Sequence, residues 1–128
     1  MENIEIKGEK DVFFKPTVNF NSESGKLLLK GESYIEDSRE FYVPLIKWIE
    51  NFTSETKKPI IFDIDLSYYN TSSSKHILEM FYVLKDFENN GGLVTLNWFY
   101  TDEDVDIEEE IEDFEIESGL KINLIKKG

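Results

Sequence analysis

The sequence predicts an α/β fold: a single domain over residues 1–128, with one mixed β-sheet and helices packed against it in the order β-β-α-β-α-β-α-β. Three observations carry that expectation. Short runs in which apolar residues alternate every second position are interleaved with stripes that repeat every three to four. Gly, Asn, Pro and Ser punctuate the junctions between them. A hydrophobic content of 40% with 14% aromatic residues supports a packed core at this length, and no internal repeat or linker divides the chain.

The elements follow in order. Ile4 to Lys7 fits a short edge strand. Val18 and Phe20, then Leu27 and Leu29, read as two strands joined by the turn residues Asn21-Ser22-Glu23-Ser24-Gly25. Beyond Gly31-Glu32-Ser33 the period changes: Phe41, Leu45, Trp48, Ile49 and Phe52 form one helical stripe, which places Pro44 in or near the first turn. Thr56-Lys57-Lys58-Pro59 ends that helix. In the strand Ile60–Leu66, Ile60, Phe62, Ile64 and Leu66 share a face, with Ile61, Asp63, Asp65 and Ser67 on the other.

A second helix carries Ile77, Leu78, Phe81, Leu84 and Phe87 inward and stops at Asn89-Asn90-Gly91-Gly92. Val94, Leu96 and Trp98 mark the next strand. Ile107, Ile111 and Phe114 give a short third helix with Asp104 as its cap, and Leu120, Ile122 and Leu124 give a last strand.

Composition excludes several functions. Without cysteine there is no disulfide framework, thiolate metal site or thiol nucleophile. The N-terminal residues lack the apolar core of a signal peptide and no apolar run reaches membrane-spanning length, so a cytoplasmic location is expected. Eleven acidic and no basic residues lie between Asp102 and Glu117; removing them from the net charge of −13 leaves −2. Nucleic-acid binding is disfavoured, because no Lys/Arg stripe exists to displace counterions. The acidic segment suits a basic partner surface or solubility.

Candidate catalytic and metal groups are sparse. Asp63-Ile64-Asp65 puts two carboxylates on one strand face, as a phosphoryl-transfer enzyme requires, but no phosphate-binding lysine or distal acidic pair accompanies them; an exposed edge or turn-facing pair is the plainer reading. Asp102, Asp104 and Asp106 have calcium-loop spacing, yet Ile107 stands where the loop needs glycine. His76 is the only histidine and reads as a surface residue. Trp48, Trp98, Tyr68, Tyr69, Tyr82 and Tyr100 read as packing residues. The expectation is a protein that is not an enzyme and holds no metal or cofactor.

The most informative segment joins the strand ending at Leu66 to the second helix. Thr71, Ser72, Ser73 and Ser74 place four hydroxyls where a helix begins. There the amides lack intrahelical partners and the dipole is positive, which favours both a capping side chain and an added phosphate. Asn70 and Thr71 are the candidate caps.

Three collinear segments resemble the SiaC-type regulatory phosphoproteins. Tyr69-Asn70-Thr71-Ser72-Ser73-Ser74-Lys75 is similar to their asparagine-threonine-serine-serine signature. Gly31-Glu32-Ser33-Tyr34 and Phe41-Tyr42-Val43-Pro44-Leu45-Ile46-Lys47-Trp48 are similar to a second conserved stretch. Trp98-Phe99-Tyr100 running into Asp102-Glu103-Asp104-Val105-Asp106 is similar to a third. Ile35 departs from the pattern where proline is common, and Ile111 where glycine often follows the acidic run.

The resemblance implies an STAS-like fold and a partner switch. On that resemblance a dedicated kinase would phosphorylate Thr71, a PP2C-type phosphatase would reverse this, and the unmodified protein would bind and activate a diguanylate cyclase in biofilm and cyclic-di-GMP control. Tyr69, Asn70, Ser72, Ser73, Ser74 and Lys75 would then surround the phosphosite and contact partners, with the serines as caps or polar rim. An anti-sigma-factor-antagonist type of switch with another effector stays open as the alternative output.

Overall fold

The computed structural model describes residues 1–128. Its main sheet has six strands in the order β1 (Ile4–Ile6), β4 (Thr17–Phe20), β5 (Lys26–Ser33), β6 (Ile60–Tyr69), β7 (Val94–Tyr100) and β8 (Ile122–Lys126). A small hairpin, β2 (Glu9–Lys10) with β3 (Phe14–Lys15), lies outside it. β1, β4 and β5 pair antiparallel, whereas β5 through β8 run parallel. Successive parallel neighbours require crossovers, supplied by α1 (Ser38–Glu55), α2 (Thr71–Asn89) and α3 (Ile107–Ser118). Right-handed crossovers between strands in sequential order put all three helices on one sheet face. α1 packs on α2, and α2 on α3.

The predicted alternation decides which face is covered. Ile60, Phe62 and Ile64 are fully buried and Leu66 nearly so, beneath Leu45, Ile49, Ile77, Phe81 and Leu84 of the helices. The opposite face carries a polar ladder. Asn97 Nδ2 donates to Asp63 Oδ1 at 2.9 Å, Asn123 Nδ2 donates to Asn97 Oδ1 at 3.1 Å, and Lys127 pairs with Asp65 at 2.8 Å. Asp63 and Asp65 thus lie on a central strand rather than at an edge or turn, because β5 and β7 flank β6 on both sides.

Other local expectations change. Pro44 is the seventh residue of α1, not part of its first turn. It removes the amide that would bond the Glu40 carbonyl, and both residues are exposed, so water can serve that carbonyl. Asp104 does not cap α3: its carboxylate accepts from the Thr101 amide at 2.8 Å, and Asp106 holds the cap position without a side-chain bond. α3 runs unbroken through Ile111, which is buried, and ends at Gly119 with φ 77°, a left-handed setting that glycine adopts without strain.

One irregularity shapes the site. The β5–β6 register shifts after Gly31, so that Gly31 faces Leu66 but Glu32 faces Tyr68, leaving Ser67 as the extra residue of a bulge. Gly31 has φ 122°, beyond the comfortable range of a residue with a Cβ. The bulge resets the alternation. Tyr69 turns toward the helices, 5.7 Å from the Trp98 ring and 6.1 Å from Phe114, whereas Tyr68 is exposed beside Tyr34 at 6.1 Å.

Candidate functional site

α2 starts at Thr71, so all four hydroxyls of the cluster belong to its first turn. Asn70 is the cap. Its Oδ1 accepts from the Ser73 amide at 3.0 Å, and its Nδ2 donates to the Ile35 carbonyl at 3.1 Å. Its own amide donates to the Ser33 carbonyl at 3.0 Å, continuing the strand into the turn. Ile35 is itself buried, so the residue that stands where proline is common anchors this turn through its side chain and its carbonyl.

The four hydroxyls are not equivalent. Thr71 is exposed and its hydroxyl makes no hydrogen bond. Ser72 is half-buried, with Oγ 3.4 Å from the Ile35 carbonyl and 3.3 Å from Asn70 Oδ1. Ser74 Oγ donates back to the Thr71 carbonyl at 2.7 Å. Ser73 is fully buried and bonded to Ser33, so the expectation that all three serines act as caps or rim residues fails for Ser73. It points inward because the apolar stripe of α2, continued back from Ile77, reaches position 73.

His76 also departs from expectation. Its side chain is only 12% exposed, with the ring stacked on Tyr42 at 5.7 Å and Nδ1 3.2 Å from Glu79. Packing on α1 therefore replaces the surface position read from the sequence. Ser33 and Tyr42, which enter the sequence pattern only as members of the resembling segments, are both fully buried beneath the start of α2. Tyr42 was legible from a shifted stripe, Tyr42, Leu45, Ile49 and Phe52 at i, i+3, i+7 and i+10. Ser33 continues the inward alternation of Leu27 and Leu29.

Beside the site, α2 and α3 enclose an open groove of about 260 Å³ lined by Tyr69, Lys75, Leu78, Glu110, Asp113 and Phe114, among others. Lys75 is exposed and makes no ion pair, although the carboxylates of α3 line the same groove. Burial, reinforced by the Glu110 carboxylate and then by Asp104 and Asp113, pushes the Tyr69 phenol well above its usual range. Loss of solvent raises the Glu110 carboxyl; the Tyr69 hydroxyl opposes this, and Asp106 and Asp104 add to the rise. No three His, Asp or Glu side chains converge to hold a metal ion, and no helix is long and apolar enough to cross a membrane.

A mixed sheet with three helices on one face, and a capped, hydroxyl-bearing helix start at the parallel strands' C-terminal edge, define a small α/β protein. The model of the SiaC family of regulatory phosphoproteins matches residues 6–127, and the chain belongs to that family. It is 30% identical over 114 residues to an uncharacterised protein of Pseudomonas aeruginosa strain UCBPP-PA14, covering 89% of this chain and 88% of that one. The crystal structure of apo-SiaC from Pseudomonas aeruginosa superposes with a TM-score of 0.88 at 27% identity, covering 98% of this chain and 99% of the other. A chain from the complex of the diguanylate cyclase SiaD with its activator SiaC superposes at 0.85 and 25% identity, over 95% of this chain and all of that one.

Proposed function

We propose that this protein acts by binding, as a single domain, and that its binding is switched by phosphorylation of Thr71. A kinase adds the phosphate, a PP2C-type phosphatase removes it, and the unmodified surface engages a diguanylate cyclase, as SiaC does with SiaD. The observation that carries this reading is the inequality of the four hydroxyls: Thr71 alone is both exposed and free of hydrogen bonds.

A phosphate there adds close to two negative charges at a helix start, where the dipole and unpaired amides tolerate it. The same charge opposes any partner that covers this helix end, because closing the interface strips the phosphate of water. Asn70 and Ser72 hold the turn that presents Thr71, while Tyr69, Ser74 and Lys75 border the adjoining groove and supply partner contacts.

Intact-mass analysis of the protein from its own organism should show one phosphate, mapped to Thr71 and absent from Thr71→Ala. Thr71→Glu should weaken binding to the cyclase at least tenfold. Wild-type phosphate stoichiometry in Thr71→Ala would refute the site, and equal cyclase affinity of the fully phosphorylated and unmodified forms would refute the switch.

A further inference from the structure

Three hydroxyl groups meet beneath the start of α2, where no solvent reaches them. Ser33 of β5, Tyr42 of α1 and Ser73 of α2 are each 0% exposed. The Tyr42 and Ser33 hydroxyls are 2.6 Å apart, Ser33 Oγ donates to Ser73 Oγ at 2.8 Å, and Ser73 Oγ donates to the Ser33 carbonyl at 3.2 Å. Because the Ser33 proton goes to Ser73, the Tyr42 phenol is the donor to Ser33. All three protons then have an acceptor, and the chain runs in one direction. Burial pushes the Tyr42 phenol up to about 12, which keeps its proton in place.

An apolar trio of the same shape would pack this space with little loss of stability. What the hydroxyls add is direction. Ser73 is held twice, its amide by Asn70 and its hydroxyl by Ser33. With 3.6 residues per turn, successive side chains are about 100° apart, so Thr71 lies about 200° around the helix from Ser73. Fixing Ser73 inward therefore fixes Thr71 outward.

We infer that Ser33 and Tyr42 are positioning residues for Thr71: their buried hydroxyl chain locks the first turn of α2 in one rotational setting, so that only Thr71 is offered for modification. This inference rests on reading Thr71 as the phosphorylated residue. The resemblance to known proteins assigns the modified residue alone, and the clamp accounts for the choice among four adjacent hydroxyls.

The test uses full-length Tyr42→Phe and Ser33→Ala, with Ile60→Val as a control whose buried site opens β6 at the far end of the strand. Each is produced in the protein's own organism, phosphate is mapped by peptide mass spectrometry, and amide exchange of residues 71–75 is followed on purified protein. Both clamp variants should lower the ratio of Thr71 phosphate to phosphate on Ser72 and Ser74 at least threefold. First-turn exchange should rise about tenfold, while Ile60→Val changes neither. Ser73→Ala, which removes the last member of the chain, should reproduce the exchange result if a clamp variant fails to fold. Wild-type site ratios and exchange in the clamp variants, or the same changes in Ile60→Val, would overturn the inference. If the wild-type protein carries its phosphate elsewhere, the reading of Thr71 fails instead, and the exchange result still decides whether the clamp exists.

Discussion

Asn70→Ala separates the cap from everything else at the helix start. The side chain makes two bonds to the backbone that alanine cannot replace, Oδ1 accepting from the Ser73 amide at 3.0 Å and Nδ2 donating to the Ile35 carbonyl at 3.1 Å, and Oδ1 also accepts from Ser72 Oγ at 3.3 Å. Loss of an asparagine cap costs about 1 kcal/mol. The second bond, part-buried and neutral, contributes about 1 kcal/mol more. The bond from the Asn70 amide to the Ser33 carbonyl survives, since it belongs to the backbone. With an unfolding entropy of about 2.1 cal/mol/K per residue, roughly 270 cal/mol/K for this chain, a loss of about 2 kcal/mol lowers Tm by about 7 °C. Asn70→Asp keeps the acceptor and adds a negative charge at the positive helix end, worth about 0.3–1 kcal/mol, while losing the donor to Ile35. Its Tm should fall by no more than about 3 °C. Thermal unfolding followed by circular dichroism measures both. A drop of under 2 °C for alanine, or an aspartate variant as unstable as alanine, would refute this account of the turn.

Phe114→Ala should destabilise by about 3–4 kcal/mol, because the ring packs on Trp98 at 5.6 Å and Phe81 at 5.4 Å; urea unfolding measures the loss, and near-ultraviolet dichroism should report the changed Trp98 environment. Glu110→Gln should stabilise the protein at pH 7. A carboxyl whose folded pKa is raised contributes stability that is present below the ordinary carboxylate range and lost as pH rises through the folded value, so the advantage of glutamine should vanish near pH 4 in pH-dependent melts. If the acidic residues of α3 steer a basic partner, raising ionic strength from 0.05 to 0.5 M should slow association with the cyclase roughly tenfold in stopped-flow measurements. A rate independent of salt would restrict α3 to a role in solubility.

The parts of this fold legible in the sequence were those governed by a single period. β6, α2 and β7 follow from alternation or a helical stripe alone, and Asn70 was a foreseeable cap because its neighbours are the usual ones. Positions set by two elements at once were not. Ser73 reads as one of four equivalent hydroxyls until β5 and α1 supply its buried partners. His76 reads as exposed until Tyr42 lies beneath it. The bulge at Ser67 leaves no mark in the hydrophobic pattern that ends at Leu66, yet it decides that Tyr69 rather than Tyr68 faces α3. Asp63 and Asp65 resemble a reactive pair in one dimension, whereas the sheet gives each its own partner, Asn97 and Lys127.

For the switch proposed at Thr71, the energetics favour action at the interface rather than by refolding. A phosphate at the first residue of a helix is stabilising by about 0.3–1 kcal/mol where exposed, so it gives the folded monomer no reason to rearrange. Moving a conformational equilibrium from one extreme to the other needs about 5.5 kcal/mol, which an exposed charge cannot supply. Burying that charge without a partner costs about 3–5 kcal/mol, which is enough to weaken an interface by a hundredfold or more. The whole effect then arises when a partner closes over Thr71, and the free protein should be nearly indifferent to its own modification. Phosphorylated and unmodified protein should accordingly show the same dichroism spectrum, Tm values within about 3 °C, and matching amide exchange beyond the first turn of α2. Their affinities for the cyclase should differ by a hundredfold or more. Altered exchange across α1 or the sheet on phosphorylation would mean that the signal travels through the fold, and that the buried clamp is released by modification instead of resisting it.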